Sequence, residues 1–283
     1  MFANILKDKE YHKLELYIMS FFSKLFKTTR SSSVRPLAQL EFLGVDMHNH
    51  LLPGIDDGSQ SVKDSIVYIQ ELQRLGLKKF ICTPHIMAGV HPNDKMSIDA
   101  AQANLTNGLR DKGRDADIFA AAEHMIDDGL PTLLQQDELC VMPGGYVLIE
   151  MSYLSESKAL FHTILAIQKL GYKPVLAHPE RYNYYHSNFN IYKQIKDAGC
   201  LLQLNLLSLS RYYGVDCKAI AMTLLKSGMY DFAGTDLHHE RHLEALKNIA
   251  EKYPVRDMLR TSPILNESLL DYFDTGKSQN VAG

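Results

Sequence analysis

The 283-residue sequence contains no tryptophan, only four cysteines and no strong excess of charge of either sign. Its 33 acidic residues nearly balance its 30 basic ones, so the formal charge of −3 gives no reason to expect nucleic acid or an anionic membrane as a partner. No apolar run approaches the roughly 18 residues that a membrane span requires. No segment has the pattern of a convincing secretory signal either. We therefore predict a globular protein without a membrane span.

The four cysteines are far apart in the sequence and form no Cys-x-x-Cys pair. Cys82 and Cys200 stand in apolar, strand-like segments, where they are expected to be buried thiols. Free buried thiols are typical of a reducing compartment. The cysteine pattern therefore predicts a cytoplasmic location.

The first 40 residues differ in pattern from the rest of the chain. Apolar residues recur at helical spacing from Tyr11 to Phe26, before the polar segment 28–33 interrupts them. We predict a partly helical extension over residues 1–40 and a main domain over residues 41–283. The extension is either a helix that docks on the domain or a weak interfacial helix that touches a membrane or a partner peripherally. Met19 is an alternative start of the chain.

From residue 42 onward, short apolar segments alternate with segments of helical periodicity. Seven strand-then-helix units in succession imply a parallel sheet, and this number favours a closed α/β barrel over an open sheet. The predicted strands are 42–45, 79–83, 117–122, 146–149, 174–177, 201–204 and 230–233. The predicted helices are 62–75, 94–112, 130–136, 157–170, 191–198 and 217–226.

Two histidines and an acidic loop lie close together at the first strand. His48 and His50 are two residues apart, a spacing that points both imidazoles to the same side of a strand. Asp57 follows in a loop flanked by glycines. Imidazole and carboxylate together suit zinc, manganese or iron. A His-x-His pair alone also fits alternating polar residues on a half-buried strand, so the rest of the chain decides between the two interpretations.

Residues of metal-ligand type stand at or just beyond the ends of six predicted strands. The carboxyl ends of barrel strands meet on one face, where barrel enzymes build their active sites. Any one of these residues could instead be a structural cap or a hydrogen-bonded side chain. Ligand-type residues at the ends of six strands, however, are hard to attribute to chance. Nine ligands are too many for one ion, so we predict a cluster of two or three. The candidates are His48, His50, Asp57, His85, Glu123, Glu150, His178, Asp236 and His238.

Seven short motifs place these residues in order along the chain. They are His48-x-His50, Pro-Gly-Ile-Asp-Asp57-Gly, Thr-Pro-His85, Ala-Glu123, Leu-Ile-Glu150, Ala-His178-Pro-Glu-Arg181-Tyr and Thr-Asp236-x-His238. Together they resemble the motifs of the PHP (polymerase and histidinol phosphatase) superfamily. The resemblance is strongest to its CpsB/YwqE-like branch, the manganese-dependent protein-tyrosine phosphatases of bacterial capsule and exopolysaccharide systems. It extends from about Val45 to Asn266.

The resemblance implies a distorted (β/α)7 barrel of the PHP type that holds three divalent ions, with Mn²⁺ favoured and Fe or Zn as alternatives. It also implies catalytic roles for Glu123, Asp236 and Arg181, the last as the phosphate-binding residue. Carried over by position, the ligands fall into three groups: His48, His50, Glu123 and Asp236 for one ion, Glu123, Glu150 and His178 for a second, and Asp57, His85 and His238 for the third.

Two positions depart from the family pattern. Ile86 and Met87 stand where some relatives have an arginine pair, so phosphate binding depends more on the planar fork of Arg181. An ordinary salt bridge to Glu180 or to a neighbour is the alternative for Arg181. His124 stands where relatives often have tyrosine. It is either a proton donor or a substituted side chain beside the site.

The implied activity is hydrolysis of phosphotyrosine by a metal-activated hydroxide, on the tail of a bacterial tyrosine kinase that controls capsule or exopolysaccharide synthesis. The charge balance of the predicted metal cluster supports this activity. Three divalent ions carry more positive charge than four carboxylates neutralise, and the excess attracts a phosphate dianion. No cysteine begins a Cys-x5-Arg loop, which disfavours a thiol nucleophile. The alternatives are a small-molecule phosphatase, such as histidinol phosphatase, and a scaffolding subunit with a decayed site. The nine filled ligand positions disfavour the scaffold.

Overall fold

Parallel strands form the wall of an α/β barrel in a computed structural model of the chain, which describes residues 39–274. The strands of this region are β1 (Val45–Asp46), β2 (Lys79–Cys82), β3 (His85–Ile86), β4 (Asp117–Ala120), β5 (Glu123–Met125), β6 (Tyr146–Glu150), β7 (Lys173–Ala177), β8 (Leu201–Asn205) and β9 (Phe232–Gly234). Each predicted strand has a counterpart, although β9 begins two residues later than expected. The prediction of a strand from residue 42 was wrong, because Glu41–Leu43 forms a 3₁₀ turn and β1 begins only at Val45, after Gly44 with its positive φ. The structure adds β3 and β5, which continue β2 and β4 after short breaks.

The strands belong to two sheets that continue one another around the wall. One sheet has the order β1-β2-β4, and the other has the order β3-β5-β6-β7-β8-β9. The break between β2 and β3 falls at Pro84, which has no N–H for the ladder. A parallel bridge between Asn49 and Leu237 brings the first strand segment against the last. When β2 with β3 and β4 with β5 are each counted as one interrupted strand, seven strands form the distorted (β/α)7 barrel. The predicted fold class is confirmed.

Side chains tie β1 to β9 where backbone pairing is sparse. The Asp46 carboxylate accepts hydrogen bonds from the Thr235 backbone N–H at 3.0 Å and the Thr235 hydroxyl at 2.6 Å. The Asn266 side chain donates to the carbonyls of Val45 and Ala233, at 2.9 and 2.7 Å. These buried groups are therefore satisfied. They position the start of the ligand-bearing segment against its end.

The helices pack around this wall and begin at identifiable caps. The Ser61 hydroxyl accepts from the Asp64 N–H at the start of the first helix, and Asp94 with Ser97 forms a capping box on the second. The three helices after β9 were not predicted from the sequence. In chain order the helices are α1 (Val62–Arg74), α2 (Lys95–Asp111), α3 (Leu130–Gln136), α4 (Leu160–Lys169), α5 (Asn190–Asp197), α6 (Val215–Lys226), α7 (Glu240–Lys252), α8 (Val255–Leu259) and α9 (Leu270–Asp274).

Apolar side chains from neighbouring strands fill the barrel core, among them Val45, Ile81, Leu148, Val175 and Phe232. Full burial of such a side chain stabilises a fold by about 1.5–3 kcal/mol. Within residues 39–274, no helix combines the length and apolar character needed to cross a bilayer. The predicted extension over residues 1–40 lies outside the described residues except for its last two positions, so the division at residue 40 stays a prediction.

Candidate metal centre

All nine predicted ligands surround one cavity of about 710 Å³ at the carboxyl ends of the strands. Seven of them line its wall, and His48 and His50 lie behind it with no exposed surface. The structure therefore brings together residues that are almost 200 positions apart in the sequence. Their roles as ligands stay predictions.

Four donor atoms at the floor of the cavity, which we call the tetrahedron, lie 3.2–3.4 Å apart in five of their six pairs. His48 Nε2 lies 3.3 Å from Glu123 Oε2 and 3.2 Å from Asp236 Oδ1. His50 Nε2 lies 3.4 Å from each of the same two oxygens and from His48 Nε2. Ligand atoms about 2.0–2.1 Å from a tetrahedral ion are about 3.3–3.4 Å apart. The spacing therefore fits one bound cation.

The hydrogen bonds of the two histidines leave their Nε2 lone pairs free for that cation. His50 Nδ1 donates to the Asp56 carboxylate at 2.8 Å. His48 Nδ1 donates to Gln203 Oε1 at 2.9 Å, because the Gln203 amide nitrogen already donates to the carbonyl of Leu204. Partners of this kind set the tautomer of a metal-binding histidine. Two lone pairs that face each other at 3.4 Å are stabilised by a positive ion between them.

The charges of the two carboxylates in the tetrahedron also favour a positive charge between the four donor atoms. Burial opposes protonation of His48, but the carboxylates of Glu123 and Asp236 outweigh it and raise the pKa of His48 to about 10. Burial also opposes ionisation of both carboxyls, yet the neighbouring imidazoles, His48 first, hold their pKa values well below the ordinary range. No described residue donates a hydrogen bond to Glu123 Oε2 or Asp236 Oδ1, although both atoms are buried. A divalent cation satisfies both oxygens.

A second group shares Glu123 with the first. His85 Nδ1 lies 2.8 Å from Glu150 Oε1 and 3.3 Å from Glu123 Oε2. His178, which the family resemblance places in this group, has its Nε2 3.1 Å from the other Glu123 oxygen, Oε1. The structure thus puts His85 rather than His178 against Glu150. Glu123 faces both groups, as a bridging carboxylate must.

A third group forms around Asp57, whose side chain is 62% exposed. Asp57 Oδ1 lies 3.5 Å from both His85 Nε2 and His238 Nε2. Burial lowers the pKa of His238 to about 3, so its imidazole is neutral, as metal ligation requires. His91 Nε2 lies 4.0 Å from the same oxygen, and its ring stacks on His85. Sequence reasoning missed His91, because it stands in the turn after β3 and not at a strand end.

Unusual backbone geometry supports three positions of the site. A Cβ on Gly58 would lie 2.3 Å from the carbonyl oxygen of His50, so only glycine allows the acidic loop to pack this closely. His178 and Asp236 have positive φ angles of 32° and 51°. Residues in this left-handed region occur in functional sites more often than elsewhere. The strain is consistent with a site whose side chains are held in place by the fold.

Arg181 lies at the cavity wall with its side chain 19% exposed. Its Nη1 donates to Asp236 Oδ2 at 2.7 Å, and its guanidinium carbon lies 4.4 and 4.2 Å from the ring centroids of Tyr153 and Tyr213. Glu180 is not its partner, since that buried carboxylate accepts from the Tyr230 hydroxyl. The salt bridge of Arg181 is formed with Asp236 instead. The guanidinium therefore stays beside the metal-ligand groups.

His124 is buried and hydrogen-bonded to the backbone on both ring nitrogens. Its Nδ1 donates to the carbonyl of Leu148 at 3.0 Å, and its Nε2 accepts from the Cys140 N–H at 3.2 Å. Burial lowers its pKa to about 4, so the ring is neutral at physiological pH. With both nitrogens occupied, His124 has no proton to offer a substrate. The geometry supports the interpretation of a substituted side chain beside the site.

Sequence reasoning also missed the groups that orient the ligands. Asp56 bonds to His50, Gln203 bonds to His48, and the Asn205 amide donates to Asp236 Oδ2 at 2.7 Å. Gln203 and Asn205 belong to β8, the one strand for which no ligand was predicted. Two polar side chains at the end of an otherwise apolar strand were a usable signal. Asp56 could not be distinguished from Asp57, because the sequence of two adjacent aspartates does not show which side chain points into the protein.

Replacement of Asp56 by asparagine is expected to lower metal affinity by about 10- to 100-fold, as is typical when a ligand loses its orienting partner. The carboxylate of Asp56 holds His50 and also accepts from the His85 N–H at 3.1 Å. Titration of the metal-free protein with Mn²⁺ measures the change. Asp127→Asn is the control, because Asp127 lines the same cavity without bonding to a predicted ligand. Equal Mn²⁺ affinity for the Asp56 variant and the wild type would contradict the orienting role.

Comparison with known proteins identifies the family. The model of the family described as "Capsular polysaccharide synthesis, CpsB/CapC" matches residues 44–254. The chain belongs to the CpsB/CapC family. The matched segment contains all nine predicted ligands and Arg181, so the family and the metal-ligand cluster coincide in the chain.

Relatives in the CpsB/CapC family include named phosphatases. The tyrosine-protein phosphatase YwqE of Bacillus subtilis is 27% identical over 196 residues, which cover 69% of this chain and 77% of the relative. The tyrosine-protein phosphatase CpsB of Streptococcus pneumoniae is 25% identical over 201 residues, which cover 69% and 83%. A crystal structure from work on YwqE and CpsB as metal-dependent tyrosine phosphatases matches with a TM-score of 0.66 at 24% identity, and covers 78% of this chain and 96% of that one. That match confirms the fold.

Proposed function

We propose that this chain is a metal-dependent protein-tyrosine phosphatase. The observation that carries the proposal is the placement of Arg181 and three groups of metal-ligand side chains around one cavity. The names of its relatives agree with this activity and do not favour a small-molecule phosphatase. The presence of ligand-type residues at all nine predicted positions also argues against a scaffolding subunit with a decayed site.

Different residues of the site bind the metal ions and the phosphate. His48, His50, Glu123 and Asp236 would hold one ion, and the groups around Glu150 and Asp57 would hold two others. Divalent ions at these places supply Lewis acidity for the phosphate oxygens and activate water. Arg181 binds a phosphate oxygen with the in-plane N–H groups that Asp236 does not use. The substrate is thus positioned by charge from two sides.

The leaving group of phosphotyrosine reduces the need for a dedicated general acid. Phosphotyrosine leaves as a phenoxide, whose parent pKa is about 10. A serine alkoxide is a much poorer leaving group and would need a proton. His124 cannot supply one, because both of its nitrogens are bonded to the backbone. The leaving group therefore favours aryl over alkyl phosphates.

We propose further that Mn²⁺ is the resident metal and that the enzyme acts in the cytoplasm. Its substrate there is the phosphorylated tail of a bacterial tyrosine kinase that controls capsule or exopolysaccharide synthesis. A cavity open to solvent, with Asp57 and Tyr153 exposed at its wall, admits a tyrosine on an extended peptide. Dephosphorylation of such a kinase by the purified protein, with loss of kinase phosphotyrosine on blots, tests the partner.

The activity is tested with three substrates on one preparation of measured metal content. A phosphotyrosine peptide, a phosphoserine peptide of the same sequence and histidinol phosphate are compared at equal concentrations. We expect the phosphotyrosine peptide to turn over fastest, and the phosphoserine peptide to be at least about 100-fold slower because of its leaving group. Faster hydrolysis of histidinol phosphate would overturn the proposal in favour of a small-molecule phosphatase.

Replacement of Arg181 by alanine is expected to reduce kcat/KM for the phosphotyrosine peptide by about 100-fold, the scale of one lost charge-stabilising donor. Metal content should stay near normal, because Arg181 is not a ligand. Arg181→Lys should recover only part of the loss, since lysine lacks the bidentate fork. Arg110→Ala, on the exposed side of α2, is the control. Wild-type kcat/KM in Arg181→Ala would refute the phosphate-binding role.

A further inference from the structure

Two tyrosine rings lie over the guanidinium of Arg181. The distances from the guanidinium carbon to the ring centroids are 4.4 Å for Tyr153 and 4.2 Å for Tyr213. Both lie well inside the roughly 6 Å over which a cation is attracted to a ring face. The tyrosines come from different loops, one after β6 and the other after β8. We call them the tyrosine pair.

Contact with two aromatic rings holds arginine without a further carboxylate partner. A guanidinium has five N–H groups, and a bidentate carboxylate partner accepts from two of them. One N–H is used by Asp236 Oδ2 at 2.7 Å. A second carboxylate in place of the rings would occupy further N–H groups and neutralise the charge. The tyrosine pair holds Arg181 without either effect.

The hydroxyl groups of the tyrosine pair contact a predicted ligand and a side chain that orients another. The Asn205 amide lies 3.2 Å from the Tyr213 hydroxyl and also donates to Asp236 Oδ2 at 2.7 Å. The Tyr153 hydroxyl lies 3.3 Å from His178 Nε2. These hydrogen bonds therefore fix the positions of both rings relative to the groups that surround the cavity. Tyr153 is also 40% exposed, although it has a large apolar ring.

We propose that Tyr153 and Tyr213 are positioning residues that hold the guanidinium of Arg181 in the orientation that binds the substrate phosphate. This proposal rests on the proposed function, because it assumes that Arg181 binds phosphate. The ring faces carry the effect, and the hydroxyls only anchor the rings. The site thereby keeps a full positive charge beside the metal-ligand groups.

The test compares leucine and phenylalanine variants of the pair in the metal-loaded enzyme. We expect Tyr153→Leu and Tyr213→Leu each to lose about 10-fold in affinity for inorganic phosphate, measured by calorimetry, and a similar factor in kcat/KM, in line with a lost cation–π contact. Tyr153→Phe and Tyr213→Phe should stay within about 3-fold of the wild type, because they keep the ring. Tyr272→Leu is the control, since Tyr272 is 39% exposed and does not line the cavity.

A second comparison separates positioning from a general effect on the fold. In an Arg181→Ala background, the leucine substitutions should cause no further loss, because the group that they position is absent. Losses of equal size with and without Arg181, or phenylalanine variants as impaired as the leucine ones, would overturn the proposal. If Tyr213→Leu fails to fold, the exposed Tyr153 series carries the test alone.

The phosphate measurement also distinguishes this proposal from the proposed function. A wild-type enzyme that binds phosphate but does not hydrolyse the phosphotyrosine peptide would refute the activity. The variants would then still report on positioning through phosphate affinity. Unchanged phosphate affinity in both leucine variants of an active enzyme would refute the positioning role alone.

Discussion

Replacement of Asp236 by asparagine is expected to lower kcat by roughly 1,000-fold or more and to remove bound metal. One oxygen of Asp236 lies in the tetrahedron with His48 and His50, and the other holds Arg181 and Asn205. Loss of its charge should thus weaken binding of the predicted ion and free the arginine that we propose to bind phosphate. The effect should exceed the 10- to 100-fold that is typical of a residue that only orients a ligand.

The fold of this variant should survive, which makes the result interpretable. Asp236 has a φ of 51°, and asparagine tolerates this left-handed conformation about as well as aspartate. Circular dichroism should be unchanged, while metal analysis shows about one ion fewer per chain. Asp99→Asn, on the exposed side of α2, should keep both activity and metal. An Asp236→Asn enzyme with wild-type turnover and full metal content would exclude a metal ion at the tetrahedron.

Removal of the metal ions by a chelator is expected to abolish activity, and added Mn²⁺ should restore it. The four donors of the tetrahedron are buried, and its two carboxylate oxygens have no hydrogen-bond donor among the described residues, so we expect the chemistry to depend on a cation there. Residual metal is measured on the same samples as turnover. The lost activity should return in proportion to the metal bound.

Alkylation of cysteines is expected to change the activity of the metal-loaded enzyme very little. All four cysteines are buried, and burial raises the pKa of Cys140 to about 11 and that of Cys200 and Cys217 to about 12. Burial raises the pKa of Cys82 as well. The reactive thiolate is therefore scarce at neutral pH. Inactivation by alkylation without unfolding, or full turnover after verified removal of every ion, would refute the metal mechanism.

Local patterns in the sequence predicted most of the barrel. The predicted helix 130–136 has the observed bounds of α3, and the predicted helix 62–75 differs from α1 by one residue. Apolar periodicity and capping residues act over a few positions, so they are readable from the chain alone. The break that separates β4 from β5 was not predicted, because the apolar segment 117–122 continues into Glu123 without a proline or glycine.

The sequence by itself determined that the nine ligand-type residues meet at one site, since a histidine or carboxylate at the end of a barrel strand must face the same rim as its counterparts on other strands. Only the tertiary structure decided how these side chains are grouped. It placed His85 against Glu150, turned Asp56 toward His50, and brought Tyr153 and Tyr213 over Arg181. Those contacts depend on the register of neighbouring strands and on side-chain rotamers. Neither property is encoded in a periodicity, because each arises from packing between segments far apart in the chain.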